Sequence, residues 1–225
     1  MITPDLITRS NRKTLSLSIL KDGQIIIKAP LKMSNETIQK FVYEKQKWIR
    51  EKLAIIENNQ TKYQEIISYQ KFLLFGNRYS LKFADVKKIQ TSSEEMVIYI
   101  PNNIPKEKVL SKLKAWYKKT AKTTLEQRLD YITKLIKLCP TSMKISDSKG
   151  RWGVCTSKGT ISFNFRVIML EPEIIDYVII HELCHLVEMN HSKRFWNLVT
   201  SFMPSAPAQK QKIKEYSFLL SMLNG

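Results

Sequence analysis

Residues 172–191 read PEIIDYVIIHELCHLVEMNH and contain all three histidines of the chain, His181, His185 and His191. Pro172 and Glu173 are typical of the first turn of a helix. Proline lacks the amide hydrogen that stays unbonded there, and an acidic side chain favours the positive end of the helix dipole. The apolar residues that follow predict a helix with His181 and His185 on one face, because residues four apart are neighbours on a helix.

The spacing of these histidines predicts a metal site. Imidazoles at positions i and i+4 of a helix can converge on one ion at about 2.0–2.1 Å, the length of a zinc–nitrogen bond. His191 can supply a third imidazole if the helix ends near Met189-Asn190, and asparagine suits such an exit because it tolerates the left-handed conformation. Three protein ligands leave the fourth position of zinc open for water, as in catalytic sites. We therefore expect one zinc ion held by His181, His185 and His191.

Glu182 follows His181 directly, so its side chain points off the ligand axis and can reach a metal-bound water. Zinc lowers the pKa of such a water towards about 7, and Glu182 is predicted to be its general base, a role worth about 10²–10⁴-fold in rate. Glu188 is the alternative third ligand, since it shares the histidine face if the helix continues, and a His-His-Glu site is chemically normal. We favour His191 because it needs only a helix end.

The rest of the chain predicts a mixture of strands and helices. Alternating apolar residues indicate strands, and apolar residues at helical spacing indicate helices. The strand segments are residues 5–30 (a β-meander with a hairpin turn at Asp22-Gly23), 71–100 (with a turn at Gly76-Asn77), 143–145 and 159–169. The helical segments are residues 34–57, 105–137, one from residue 172, and 207–223. Pro101-Asn102-Asn103 indicates a break. We therefore expect a β-rich accessory N-terminal region with one helix (1–103) and a catalytic domain (104–225).

The chain of 225 residues has 37 basic and 20 acidic side chains, a net charge of +17. Residues 1–140 hold 27 basic and 13 acidic side chains, so a surplus of +14 lies away from the histidines. Such a field could steer a polyanion or an acidic protein to the molecule. A lysine-rich solvated surface is the commoner reason for a surplus of this kind.

Several classes of protein are disfavoured by composition. No apolar run approaches the roughly 18 residues of a membrane-spanning helix, and residues 1–6 lack the order of a secretory signal. The three cysteines, Cys139, Cys155 and Cys184, form no C-x-x-C pair. They are expected to be reduced thiols. We expect a cytoplasmic protein with no membrane partner.

From Ser148 to Trp196 the chain resembles the YgjP-like zinc metallopeptidases, relatives of the SprT and WLM proteases. The matching residues are Arg151-Trp152-Gly153-x-Cys155, Gly159-x-Ile161-x-x-Asn164-x-Arg166, Ile175-Asp176-Tyr177-Val178, His181-Glu182-Leu183-Cys184-His185 and Asn190-His191-Ser192-x-x-Phe195-Trp196. Arg9-Ser10-x-Arg12-Lys13-Thr14 and Trp48-Ile49 also look like that family's N-terminal region.

The resemblance implies an α+β, zincin-like fold with a backing helix, a small sheet and an active-site helix. It also implies His191 as third ligand, and residues 160–166 as the strand at the cleft rim that pairs with an extended peptide. The glycine that turns the chain in metzincins is replaced by Glu188, which argues against a metzincin proper.

The first hypothesis for the reaction is peptide hydrolysis, in which Glu182 activates zinc-bound water to attack a peptide carbonyl. Candidates for substrate binding or transition-state stabilisation are Tyr177, Asn164, Arg166 and Arg151. Each has a structural alternative: helix packing for Tyr177, a strand-edge position for Asn164, solvated charge for Arg166 and a structural loop for Arg151.

Two other functions stay open at this point. A nucleoside triphosphate (UTP-type) pyrophosphohydrolase would use the same site, although the chain has no G-x-x-x-x-G-K-[ST] loop and no acidic cluster for magnesium. An SprT-like, nucleic-acid-associated protease would use the basic N-terminal part. The expected partner is a polypeptide substrate, with a nucleotide or nucleic acid as the alternative.

Overall fold

The computed structural model describes residues 2–20 and 22–223 and divides the chain into two compact units, Met1–Gln64 and Glu65–Gly225. In the first unit, β1 (Leu6–Ser10), β2 (Ser16–Ile19) and β3 (Ile25–Pro30) form a sheet in the order β1-β3-β2. The predicted hairpin at Asp22-Gly23 is present, and Gly23 has a φ of +91°. The predicted meander is wrong, because β1 pairs in parallel with β3 and not with β2.

Two helices cover this sheet, α1 (Asn35–Glu44) and α2 (Gln46–Lys62). Ser34 caps α1 by accepting a hydrogen bond from the Thr37 amide at 3.1 Å, which satisfies one of the open donors of the first turn. The single helix predicted over residues 34–57 is wrong in one respect: Lys45, with φ −95° and ψ 2°, separates two helices. The core of the unit is the buried set Ile25, Ile27, Ala29, Ile38, Val42 and Ile49.

The second unit begins within the short helix α3 (Gln64–Ile67) and continues into a four-stranded sheet. Its strands are β4 (Phe72–Leu74), β5 (Asn77–Ala84), β6 (Gln90–Ser92) and β7 (Val97–Pro101), in the order β4-β5-β7-β6. The turn between β4 and β5 is Phe75-Gly76, one residue earlier than predicted. Both residues have positive φ, +50° and +78°, as a two-residue type I′ hairpin requires.

This sheet belongs to the same unit as the histidines. The Tyr117 hydroxyl donates to the Leu73 carbonyl at 2.7 Å, and the Phe75 amide donates to the Ile168 carbonyl at 2.8 Å. The predicted boundary between residues 103 and 104 therefore falls inside the second unit, because residues 65–101 bond to later elements. The division of the chain into accessory and catalytic parts stays a prediction.

The backing helix α4 (Val109–Ile136) follows a 3₁₀ turn at Lys106–Lys108, close to the predicted range of 105–137. Residues four apart along it, Leu113, Tyr117, Ala121 and Leu125, are fully buried. These residues form the apolar stripe that packs a helix on a core.

A second sheet supports the site. It consists of β8 (Ser142–Ser146), β9 (Gly153–Cys155) and β10 (Thr160–Asn164), in the order β8-β10-β9. The strand predicted over residues 159–169 ends at Asn164, and Phe165–Met169 form a buried 3₁₀ helix. The predicted cleft-rim strand, residues 160–166, is wrong because β10 is the central strand and pairs on both sides. The edge strands are β8 and β9, and β9 is the one that lines a cavity beside the histidines.

The remaining elements are α5 (Pro172–Cys184), α6 (Lys193–Phe202), α7 (Ala206–Lys212) and a 3₁₀ helix at Glu215–Ser221. The helix predicted over residues 207–223 is thus two shorter pieces. Small sheets combined with several helices confirm the α+β class. Among the described residues, no helix has both the length and the apolar character needed to cross a membrane.

Candidate metal centre

Helix α5 carries His181 and Glu182, has His185 as its C-cap residue, and is apolar on almost every side. Its buried residues include Ile174, Ile175, Val178, Ile179 and Leu183. A helix of this kind is held inside a core, so it presents His181 and Glu182 from a fixed position. The α-helix ends at Cys184, earlier than the predicted end near Met189-Asn190, and a turn follows in which the Glu188 amide donates to the Cys184 carbonyl at 3.0 Å.

This early end lets the chain reverse and bring His191 back to the helix. The metal-binding atoms of His181, His185 and His191 lie within 4.8 Å of one another, and the Nε2 atoms of His181 and His191 are 3.0 Å apart. Glu188, the alternative ligand, is not a member of this group. The structure therefore brings together the three histidines singled out in the sequence.

The hydrogen bonds of the rings suit a metal. Nδ1 of His185 lies 3.0 Å from the Glu188 carbonyl oxygen, which can only accept, so Nδ1 carries the hydrogen and Nε2 keeps its lone pair. Nδ1 of His181 is buried and has no hydrogen-bond partner within the described part of the chain. Three converging imidazoles fit the donor set that zinc prefers.

The electrostatics of the cluster keep two imidazoles neutral. Burial lowers the pKa of His181 to about 3, and the positive charges of His185, His191 and Lys210 act in the same direction. Burial also lowers the pKa of His191, with contributions from His185 and Lys210. Neutral imidazoles have the free lone pairs that metal binding requires.

Glu182 lies beside the cluster and is 6% exposed. Burial raises its pKa to about 7, against the opposing effect of Arg151. Its carboxylate packs directly on Gly153 of the edge strand, where an added Cβ would come 2.5 Å from Oε1. A carboxyl group that titrates near neutral pH can both take and return a proton.

A cavity of about 210 Å³ opens over these groups. It is lined by Gly153, Val154, Cys155, His181, Glu182, His185, Met189 and His191. One wall is thus the edge strand β9, and the other is the end of α5 with the turn that follows. The cavity has room for a substrate segment between a strand edge and the histidines.

An aromatic pair on α6 supports the histidine rings, a role that was not predicted from the sequence. Phe195 is fully buried and stacks on His185, with ring centroids 4.4 Å apart and planes at 22°. Trp196 stacks on His191 at 5.6 Å and 25°, and Lys210 Nζ lies 3.5 Å from the centre of the Trp196 ring. Two adjacent aromatic residues in the first turn after a ligand histidine are the signal that could have identified this support.

The four further candidates fall into two groups. Arg151 is exposed and its charge acts on Glu182. Tyr177 is 5% exposed, its ring centroid lies 5.8 Å from that of His181, and burial with the nearby Glu182 raises its pKa to about 12. These two residues lie near the cluster.

Asn164 and Arg166 are fully buried and hold the surrounding backbone. Nδ2 of Asn164 donates to the carbonyls of Ser148 and Arg151 at 2.6 and 3.2 Å. Arg166 donates to Asp147 and to the Met222 carbonyl, both at 2.8 Å. The alternative of a solvated charge at Arg166 is therefore wrong, and neither side chain lines the cavity.

The chain is similar to known metallopeptidases. A family model described as YgjP-like, metallopeptidase domain, matches residues 13–216. No curated protein matches the chain. A similar solved structure is the metallopeptidase zymogen of Pyrococcus abyssi abylysin, with 28% identity and a TM-score of 0.37 over 40% of this chain and 90% of that one. Because the family match spans nearly the whole chain and includes the histidine cluster with Glu182, the chain belongs to the YgjP-like metallopeptidase family.

Proposed function

We propose that the chain is a zinc-dependent metallopeptidase in which His181, His185 and His191 hold one zinc ion and Glu182 is the general base. The observation that carries this proposal is the convergence of three imidazoles within 4.8 Å beside a buried carboxyl group. Zinc with three protein ligands has an open position for chemistry. The family to which the chain belongs supports a peptide as substrate.

The mechanism follows from the chain's own groups. A bound zinc ion would polarise the substrate carbonyl and lower the pKa of a water molecule. The Glu182 carboxylate accepts a proton from the attacking water and then donates it to the leaving amide nitrogen. Its pKa of about 7 suits both steps. The hydrogen bond from His185 Nδ1 to the Glu188 carbonyl and the stacked Phe195 ring hold His185 in orientation.

The substrate backbone is proposed to pair with β9. The Asn164 amide donates to the Trp152 carbonyl at 2.7 Å, and the Thr156 amide donates to the Thr160 carbonyl at 3.0 Å. Residues 152 and 156 therefore face β10. Backbone groups alternate along a strand, so Gly153 and Cys155 direct their N–H and C=O groups to the free edge of the sheet. An extended peptide added there would lie along the cavity.

The four further candidates have different proposed roles. Arg151 and Tyr177 stay candidates for contact with substrate or transition state. Asn164 and Arg166 are proposed to act indirectly, because their hydrogen bonds hold the loop that leads into β9.

The ligand assignment is tested by metal analysis and cleavage of unfolded polypeptides with the same preparations. Glu182→Gln should retain zinc and lose about 10²–10⁴-fold in kcat. His191→Ala should lose zinc, whereas Glu188→Ala should retain it. Normal zinc content in His191→Ala, with loss in Glu188→Ala, would overturn the assignment.

Nucleoside triphosphates are assayed in parallel. One outcome is that the wild-type protein releases phosphate or pyrophosphate without cleaving any peptide. If Glu182→Gln abolishes that release, the pyrophosphohydrolase replaces the peptidase as the proposed function.

A further inference from the structure

Two segments that frame the cavity contain only basic charges. Residues 148–170 include β9 and β10, and residues 189–214 include His191, α6 and α7. Together they hold nine basic and no acidic side chains: Lys149, Arg151, Lys158, Arg166, Lys193, Arg194, Lys210, Lys212 and Lys214. The rest of residues 65–225 holds 16 basic and 14 acidic side chains. The positive charge of this unit is thus concentrated in the two segments that surround the site.

Some of these charges are already neutralised by the fold. Arg166 pairs with Asp147 at 2.8 Å, and Lys212 pairs with Glu171. Arg151 and Lys210 are different, because neither forms an ion pair with a carboxylate in the part of the chain that the structure describes.

These two cations also lie beside residues of the site, outside the cavity lining itself. The charge of Arg151 acts on Glu182, and Arg151 stands two residues before Gly153, which touches the Glu182 carboxylate. The charge of Lys210 acts on His181 and His191. Its Nζ lies 3.5 Å from the centre of the Trp196 ring, which stacks on His191. One unpaired cation is therefore associated with the general base, and another with the third histidine.

Among the described residues that line the cavity, one side chain is acidic, that of Glu182. Glu182 is buried at 6% exposure, and Glu188 lies outside the cavity lining. A cleft surrounded by one sign of charge attracts ligands of the opposite sign. Pairing with Arg151 or Lys210 would then favour acidic side chains near the bond to be cleaved.

We infer that the substrate is an acidic polypeptide segment, whose carboxylates on either side of the cleaved bond pair with Arg151 and Lys210. This inference rests on the proposed peptidase function. A polypeptide is favoured over a nucleic acid because the cavity presents a free strand edge together with the apolar side chains of Val154 and Met189. A strand edge recognises a peptide backbone.

The test compares three peptides that share one central sequence and carry glutamate, glutamine or lysine on both sides. The zinc-loaded full chain should cleave them in that order. The glutamate peptide should exceed the glutamine peptide in kcat/KM by about fivefold to tenfold, as two exposed charge pairs allow. The preference should shrink between about 50 and 300 mM salt, because salt screens exposed charges.

Arg151→Gln and Lys210→Gln should each lower the ratio of kcat/KM for the glutamate peptide to that for the glutamine peptide. Lys87→Gln is the matched control, since it removes one exposed charge outside both segments and should leave the ratio unchanged. Both peptides are compared on the same variant. A change in its folding or zinc content therefore lowers both rates equally and leaves the ratio of kcat/KM unchanged. An equal rate for the three peptides would overturn the inference and leave the peptidase function standing.

Binding provides a second measurement that needs no cleavage. Fluorescence anisotropy with the Glu182→Gln variant should show that the labelled glutamate peptide binds more tightly than the other two. Adding Lys210→Gln to that variant should weaken the binding of the glutamate peptide. Equal affinities for all three peptides would overturn the inference even if cleavage is never detected. Displacement of the glutamate peptide by a single-stranded oligonucleotide that binds more tightly would assign these cations to a nucleic acid instead.

Discussion

At the scale of single residues, Glu182 and the edge strand β9 are in direct contact through Gly153. This glycine is not required for an unusual φ. It is required because its neighbour approaches so closely that an added Cβ would meet three atoms of the Glu182 side chain at 2.5–2.7 Å. The Glu182 carboxylate therefore occupies the space that a side chain at residue 153 would fill.

Gly153→Ala is expected to displace the Glu182 carboxylate. Cleavage of peptides should fall by about tenfold or more, because a displacement of about 1 Å can cost a factor of about 10² in rate. Zinc content should be unchanged, since the three atoms nearest to the added Cβ all belong to Glu182 and none to a histidine. The matched control is Gly150→Ala, where an added Cβ meets nothing within 4 Å and activity should be retained. Full activity in Gly153→Ala would refute the contact.

The histidines and Glu182 could be singled out from the sequence because helix spacing is local. The burial of Arg166 could not be predicted in this way. An arginine on a predicted strand normally indicates a solvated charge. Only the packed structure shows that Arg166 bonds to Asp147 and to the Met222 carbonyl. Lys210 was also missed, since 19 positions separate it from His191 in the sequence.

At the scale of elements, the ends of helices were the least predictable feature. Helix α4 was expected to end at about residue 137 and ends at Ile136, with Lys137 as its cap in the left-handed conformation at φ +60°. Helix α5 was expected to continue to Met189-Asn190 and instead ends at Cys184. The turn at residues 185–188 is formed by backbone hydrogen bonds that leave no pattern in the sequence.

Lys137→Gly is expected to stabilise the protein by about 1 kcal/mol, because glycine adopts the left-handed conformation without the steric cost of a Cβ. Denaturant unfolding followed by circular dichroism measures the change. Lys134→Gly makes the same substitution inside the last turn of α4 and should destabilise by about 1 kcal/mol. Destabilisation by both variants would contradict the proposed cap.

The two strands of the site also differ from expectation at this scale. Alternating apolar residues identify β10 as a strand, but periodicity carries no information on which strand becomes its neighbour. The three-residue strand β9 is too short for a periodic signal, yet it occupies the edge that faces the cavity. Only the tertiary structure shows that β8 and β9 pair with β10.

At the scale of the whole second unit, Asp147 joins distant parts of the chain. It accepts hydrogen bonds from Lys114 and Lys118 of α4 at 2.8 and 3.0 Å and from Arg166 at 2.8 Å. Burial alone raises the pKa of Asp147, but these three cations outweigh burial and hold its pKa below the usual range. Arg166 in turn bonds to the Met222 carbonyl near the end of the chain.

Asp147→Asn is expected to destabilise the protein at pH 7 by about 3 kcal/mol, because it removes a carboxylate that pairs with a buried arginine. The folded-state pKa of Asp147 is depressed, so its stabilisation is complete above the unfolded-state value of about 3.9 and is lost as the pH falls towards the lower folded-state value. The difference between wild type and variant should therefore be constant from about pH 5 to 7 and should shrink below about pH 4. Urea unfolding as a function of pH measures it, and a difference that grows towards low pH would contradict this assignment.

The sequence alone determined the features that depend on local spacing: the mixture of strands and helices, the long backing helix, the hairpin at Asp22-Gly23, and a helix that carries His181 and Glu182 and ends just before His185. Tertiary structure decided the features that depend on contacts between distant segments. It brings His191 back to α5, encloses Glu182 against Gly153, makes β9 the edge strand and places Lys210 over Trp196. The physical reason is that helix periodicity is set within a few residues, whereas burial, strand pairing and chain reversal follow from how the whole core packs.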